Sequence, residues 1–361
     1  MRTAVVSDLH LGLLSQTDVT RSPAVRDRLV AAVSGADHLV LLGDLVELRE
    51  HPLSDSVNLA RPLLEPLGEA LAGRRVTIVP GNHDHVLAAP WLAHRRSLGE
   101  PLGAEAQWEP GPGDGALHGL ASLMPEVDVR AAYPGLRLRP DVYATHGHYL
   151  DVHLTVPRIE SVAAGAMASI TGRGQGCRSA ADYEAVVSPM YGFLTGLADS
   201  ASKDRLQRSG SVSRRVWTRA NGGRRLPGLL LTRGAIPAAV AVINRLGWGP
   251  LEPGVTGPHL LHGGLASMRT VAGVLAPGAE HVVFGHTHRP GPLPGDEPGE
   301  WATPGGGRLW NTGSWCHEPA FLGPPGRPGP YWPGNVLILE DAGPPRIENV
   351  LDGISLPAVP A

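Results

Sequence analysis

The chain has 361 residues, a formal net charge of −3, 42% hydrophobic residues and 18% charged residues. That much apolar material can build a core, which excludes global disorder, and the near-neutral charge excludes a uniformly basic nucleic-acid binder. Cys177 and Cys316 lie far apart without a paired spacing, which excludes a disulfide scaffold and a thiolate zinc site.

The N-terminal residues Met1-Arg2-Thr3-Ala4-Val5-Val6 lead straight into a strand pattern, without the apolar region of a signal peptide. The runs Thr3–Ser7, His38–Leu42, Arg75–Val79 and Val142–Thr145 predict strands. Pro23–Ser34 and Leu59–Ala72 predict helices between them. Short strands spaced by helices predict an α/β sheet, with ligand sites at the strand ends.

From about residue 155 the rhythm changes. Ile159, Val162, Ala163, Ala166, Met167 and Ile170 recur at helical spacing. So do Tyr183, Val186, Val187, Met190, Tyr191 and Leu194, with Pro189 expected to kink or start that helix. Strand rhythm returns at His281-Val282-Val283-Phe284, and Asn335–Glu340 reads as a closing strand. The expected division is a core in two parts, 1–151 and 263–361, around a mostly helical insertion at 152–262. Stretches 291–307 and 319–334 are loops rich in Pro and Gly. No stretch reaches 18 uninterrupted apolar residues, so no spanning helix is expected and a soluble, cytoplasmic chain is the default.

Sixteen His stand against three Phe and six Tyr, an excess that suits metal ligation or acid–base chemistry. Scattered surface His would give the same count, so their placement decides. Five motifs stand in order: Asp8-Leu9-His10, Gly43-Asp44-Leu45-Val46-Glu47, Gly81-Asn82-His83-Asp84, His146-Gly147-His148 and Gly285-His286-Thr287-His288. Each follows an apolar run, which puts each at a strand-to-loop junction. Seven of the His fall in or beside them: His10, His83, His85, His146, His148, His286 and His288. Carboxylate, imidazole and amide are the hard-to-intermediate ligands of Mn, Fe or Zn. Taken singly, Asp8 and Asp44 could cap a turn or helix, and Gly81-Asn82 could form an ordinary turn after Pro80.

In this order the blocks resemble the calcineurin-like metallophosphoesterases, whose signature is DxH, GDxxD/E, GNHD/E, H and GHTH. The resemblance covers about 1–150 and 280–340. It implies a four-layer α/β metallophosphoesterase β-sandwich flanked by helices, and a two-metal centre most suited to Mn, with Fe or Zn as alternatives. Asp8, His10 and His288 resemble ligands of the first metal; Asn82, His146 and His286 resemble those of the second. Asp44 resembles the carboxylate shared by both, which lessens the repulsion between two cations. The implied reaction is attack of activated hydroxide on the phosphorus of a phosphate ester or diphosphate. His83 resembles the histidine that assists the leaving oxygen, and Glu47 the carboxylate that orients it, with Glu standing where Asp is commoner.

Around these, Asp84 reads as a loop-orienting hydrogen-bond acceptor, and Gly43 and Gly285 as sites of close backbone approach. His85 and His148 could touch substrate or be solvated polar residues. Asn311-Thr312-Gly313-Ser314 resembles the family's closing strand and turn. His38, His94 and His118 read as surface residues. The alternative function is a non-catalytic metal-binding scaffold of the same fold, although no expected ligand is missing.

Within the insertion, Lys203, Arg205, Arg208, Arg214, Arg215, Arg219, Arg224, Arg225 and Arg233 are opposed only by Asp204. This run could be an electropositive lid for a phosphate-rich substrate or an anionic membrane surface, or a solvated loop. The apolar stretch Leu226–Trp248 could be an interfacial segment or a helix packed on the core. Ser7-Asp8-Leu9-His10-Leu11 and the Asp44 block are also distantly similar to the UDP-2,3-diacylglucosamine pyrophosphohydrolase branch. That similarity implies an amphiphilic or nucleotide-linked substrate, but the insertion here is far longer.

Overall fold

The structure, a computed structural model, describes residues 1–155, 167, 176–200, 236–245, 251–252, 257–317, 329–354 and 356. Two sheets carry the described fold, one of seven strands and one of four. The larger has the order β11 (Arg346–Asn349), β10 (Asn335–Leu339), β1 (Thr3–Val6), β2 (His38–Leu42), β3 (Arg75–Val79), β5 (Asp128–Ala132), β4 (Gln107–Trp108), and the smaller β6 (Gly135–Arg139), β7 (Val142–Thr145), β8 (His281–Phe284), β9 (Arg308–Asn311). In the first, β1, β2, β3 and β5 run parallel. Short β4 lies antiparallel to β5 and β10 antiparallel to β1, with β11 antiparallel to β10 at the edge. In the second, β7, β8 and β9 run parallel, with β6 antiparallel at one edge.

Alternating side chains stack these layers. Val5, Val40, Leu42, Leu337 and Leu339 meet Val142, Ala144 and Val283 between the sheets. Their neighbours Ala4, Val6, Leu39, Leu41 and Ile338 face the other way. There they meet Val25 and Leu29 of α1 (Pro23–Val33), Leu63, Leu64 and Leu67 of α2 (Ser56–Ala70), and Leu117 of α4 (Ala116–Ala121). The outer face of the small sheet, with Tyr143, Val282 and Phe284, packs on Leu92 of α3 (Ala89–Ser97). It also packs on Val186 and Val187 of α5 (Ala180–Ser200) and Met268 and Val271 of α7 (Gly257–Leu275). The result is helix, sheet, sheet, helix, with β1, β2, β7 and β10 buried on both faces, as their continuous apolar runs require.

The expected strands at 38–42, 75–79, 142–145 and 281–284 appear over those spans. One expectation is narrowed and one needs correction. Of the two roles expected of Pro189, starting the helix does not hold; α5 begins at Ala180 and passes through it. His38 is not a surface residue: it is 7% exposed, and its Nε2 lies 2.8 Å from Thr77 Oγ1 on the adjacent strand. Parallel neighbours on both sides bury the first residue of β2, whatever its polarity. Of the insertion, the described part comprises α5, α6 (Ile236–Arg245), the start of α7 and short stretches. The basic run from Lys203 to Arg233 and nearly all of the 159–170 pattern lie outside the described residues. No described helix is long and apolar enough to cross a membrane.

Candidate metal centre

All five motifs leave the carboxyl ends of parallel strands. Asp8 follows β1, Asp44 follows β2, Asn82 follows β3, His146 follows β7 and His286 follows β8. Facing sheets therefore aim their strand ends at one crevice, where parallel α/β sheets hold ligands. Among the described residues six non-glycine positions have positive φ, and five belong to this site: Asp8 (53°), His10 (45°), Asp44 (51°), His286 (65°) and His288 (63°). Each such left-handed residue costs about 1–3 kcal/mol, and such strain collects where geometry serves chemistry. Hydrogen bonds hold the loops in these conformations: Asp8 N–H donates to Gly43 O at 3.0 Å, His10 N–H to Asp44 O at 2.8 Å, and His286 N–H to the Asp8 carboxylate at 3.0 Å. Gly43 and Gly285 are glycines for space, since a Cβ would overlap the His146 ring at the first and Ser7 and Asp8 at the second.

The candidate ligand atoms converge in two overlapping sets. On one side His288 Nε2 lies 3.3 Å from Asp8 Oδ1 and 3.2 Å from His10 Nε2. On the other, Asn82 Oδ1 lies 3.0 Å from His286 Nδ1 and 3.1 Å from His146 Nε2. Asp44 stands between them, its Oδ2 3.6 Å from His10 Nε2 and 3.3 Å from His146 Nε2. Within Asp8–His10–His288, and likewise within Asp44–His146–His286, potential ligand atoms all lie within 4.8 Å of one another.

Electrostatics tests whether this set fits cations. Asp8, Asp44 and Glu47 are buried to 0–1% exposure, and buried carboxylates need compensating positive charge. Burial opposes a charge on His10, but Glu47, Asp44 and Asp8 outweigh it and push the imidazole up to about 9. Burial is likewise overcome at His146, which Asp44 and Asp8 push up to about 10. Desolvation opposes ionisation of Asp8 and Asp44, yet His146 and its neighbours hold both carboxyls below the usual range. The field thus draws in positive charge, and divalent ions supply it while accepting the same nitrogens and oxygens. The Asn82 amide makes the same point. Turned over, its Nδ2 donates to His286, His146 and Asp44, and its oxygen accepts from Arg49 at 2.8 Å. Side chains alone favour that orientation; a cation favours the oxygen facing the histidines.

His10, His146, His286 and His83 are each aimed through one ring nitrogen. His10 Nδ1 bonds Glu47 Oε2 at 3.0 Å, and His146 Nδ1 donates to Leu42 O at 3.0 Å. His286 Nε2 bonds Asp151 at 3.0 Å, freeing Nδ1 for the site. Glu47 also reaches His83 Nδ1 at 2.7 Å, so one buried carboxylate orients both. Glu47 itself is held below the usual carboxylate range despite burial, by His83 and His10. His83 is 24% exposed, and its Nε2 lies 3.3 Å from Arg49 Nη1. Burial and the Arg49 guanidinium hold that imidazole below its ordinary range, against the pull of Glu47.

The structure therefore brings Asp8, His10, Asp44, Glu47, Asn82, His83, His146, His286 and His288 into one site. Asp84 accepts from Leu45 N–H at 2.7 Å and Gly81 N–H at 2.6 Å, fixing the Asn82 loop to the Asp44 loop. Burial and the Asp44 charge push its carboxyl up to about 6. His85 and His148 are buried at 5% and 1% exposure, so neither is a solvated residue. Asn311 and Thr312 brace the last motif: Asn311 Nδ2 donates to Gly285 O at 3.0 Å and Thr312 Oγ1 to Phe284 O at 3.2 Å. Sequence reasoning passed over Asp151 and Arg49. Their signals were faint, an acid five residues after His146 and an arginine two after Glu47.

Residues 1–165 match the family model described as calcineurin-like phosphoesterase. This part of the chain is a calcineurin-like phosphoesterase domain. His286 and His288 lie beyond the match, and the second sheet returns them to it. Together with the clustered candidate ligands, this domain supports a metallophosphoesterase, a hydrolase. Among solved structures, a cold-active protein-tyrosine phosphatase of a psychrophilic Shewanella species is 14% identical, covering 94% of this chain and 75% of that one, at a TM-score of 0.30. A dimetal phosphatase from Danio rerio is 10% identical, covering 94% and 95%, at a TM-score of 0.33. Similarities this low carry no argument of their own. No curated protein matches the chain.

Proposed function

We propose that the chain is a dinuclear metal-dependent phosphohydrolase acting on a phosphate ester or diphosphate. The observation that carries this reading is Asp44, whose Oδ2 lies between His10 Nε2 and His146 Nε2 at 3.6 and 3.3 Å, with a ligand set on either side. Asp8, His10 and His288 would hold one ion, Asn82, His146 and His286 the other, and Asp44 both. The mixed oxygen and imidazole donors suit Mn best, with Fe and Zn as alternatives. Bound divalent ions supply Lewis acidity toward phosphoryl oxygens and toward water.

The chain's own residues do the rest. Glu47 keeps His83 Nδ1 occupied, so Nε2 is the atom that faces the crevice. Without substrate that nitrogen faces the Arg49 guanidinium, which can only donate to it; the negative charge of a bound phosphate raises its proton affinity, and a proton taken up there can pass to the leaving oxygen. Arg49, against the same nitrogen, supplies a fixed positive charge for a non-bridging phosphate oxygen.

The proposed domain division is a core of 1–151 and 263–361 with 152–262 inserted. An amphiphilic or nucleotide-linked substrate, as in the UDP-2,3-diacylglucosamine branch, is the proposed class. Attachment of the 203–248 region to an anionic membrane from the cytoplasmic side belongs to the same proposal. The test is turnover of aryl phosphate monoesters, diesters and diphosphates by the full chain with Mn²⁺. His83→Ala is expected to lower kcat by about 10²–10⁴-fold, and Asp44→Asn to abolish most turnover, both folded by circular dichroism. Unchanged turnover in both variants overturns the reading.

A further inference from the structure

Glu184 lies on α5, beyond the residues that match the phosphoesterase family. Its carboxylate takes three hydrogen bonds from three separate pieces of the core. Oε1 accepts from His85 Nε2 at 2.8 Å. Oε2 accepts from Tyr133 Oη at 2.7 Å, at the end of β5, and from Tyr149 Oη at 2.9 Å, in the turn after His146. The Tyr133 hydroxyl also meets His148 Nε2 at 3.3 Å. A carboxylate with three donors in this geometry is well satisfied, and removing it strands all three.

His85 follows His83 by two residues, so this carboxylate anchors the loop that carries the proposed leaving-group acid. Asp84 anchors the same loop from the β2 side, through Leu45 and Gly81. The opposite side is held by Glu184. Two turns along the same helix, Tyr191 packs its ring 5.2 Å from that of His85 and lies under the Arg49 guanidinium at 5.5 Å. Arg49 in turn touches His83 Nε2 at 3.3 Å. The helix therefore reaches His83 along the chain and through space.

We infer that Glu184 is a positioning residue for His83, fixing the 82–85 loop through His85 so that the inserted helix is part of the active-site framework. The inference rests on the reading of His83 as the acid that protonates the leaving oxygen.

The experiment uses the full Mn²⁺-loaded chain and the variants Glu184→Gln, His85→Gln and both together. Glutamine keeps the size of Glu184 but turns an amide N–H₂ toward at least one donor. Amide hydrogen exchange across 81–88 is expected to rise roughly tenfold in each variant, no further in the double variant, and not at all in α1. Turnover of phenyl phosphate should fall about 10- to 100-fold, the size of effect expected from a misplaced catalytic group. Turnover of p-nitrophenyl phosphate, whose leaving group needs less protonation, should fall much less. A smaller folded fraction would lower both equally. Unchanged exchange at 81–88, equal losses on the two esters, or losses that multiply in the double variant overturn the inference. Should Glu184→Gln fail to fold, His85→Gln, which leaves α5 intact, decides by the same readings. Should the wild-type chain hydrolyse no phosphate ester, the proposed function fails, and exchange at 81–88 alone decides whether Glu184 holds the loop.

Discussion

At the scale of single residues, His10, His146 and His286 each have one ring nitrogen claimed by another atom, which leaves the other turned to the site. Asp151 does this for His286, with both carboxylate oxygens within 3.1 Å of Nε2. An Asp151→Asn variant keeps the shape but loses the charge that fixes the tautomer. It is expected to weaken retention of the more labile metal by about 10–100-fold, read by chelator competition and metal analysis. Equal retention in both proteins contradicts the assignment. The nine candidate residues were legible in the sequence because their motifs are local. Asp151 was not, since an acid five residues past a histidine has no fixed meaning until β8 places His286 against it.

At the scale of elements, β2 and β3 show what burial does to a residue that reads as exposed. His38 opens β2, bonded to Thr77, and burial followed by the Arg75 charge pushes its imidazole down to about 4. A group whose folded value lies below its unfolded 6.5 binds its proton more readily in the unfolded chain. Its contribution is therefore complete above pH 6.5 and is lost as pH falls toward 4, with no further loss below that. The span corresponds to roughly 3 kcal/mol at most. Denaturant unfolding of wild type and His38→Gln across this window should show a shallower decline in the variant; parallel curves would exclude His38 as the source. Helix α2 carries a similar lesson, since Pro62 and Pro66 lie inside it without ending it. Its buried face of Leu63, Leu64 and Leu67 outweighs the two lost backbone donors. Glu184 sits among Tyr183, Val186 and Val187, and only the phenols and imidazole above it distinguish it from a solvated residue of an amphipathic helix.

At the scale of the molecule, the candidate ligands come from both sheets: Asp8, His10, Asp44 and Asn82 from the larger, His146, His286 and His288 from the smaller. Metal binding should therefore lock the two sheets together. Occupancy at a hundredfold excess over Kd is worth about 2.7 kcal/mol per site, so Mn²⁺ is expected to raise the thermal midpoint by several degrees and a chelator to reverse it. Asp44→Asn should lose most of that shift. A midpoint indifferent to metal in the wild-type chain contradicts a centre that spans the sandwich. Between the sheets the core has no polar guide in the sequence. Val40, Leu42 and Val283 are apolar in the same way as the residues facing the helices, and their partners follow only from stacking.

By itself, the sequence determined the strands that end in the candidate site residues, the order of those residues and the chemistry of their atoms. These are properties of neighbouring residues, since an apolar run followed by Asp, Asn or His specifies a strand and the loop that leaves it. Only the tertiary structure decided that Asp151 aims His286 across 135 positions, and that Glu184 holds the His83 loop across 99. Such contacts arise when packed layers bring distant elements together, and no local pattern encodes which buried carboxylate will meet which histidine.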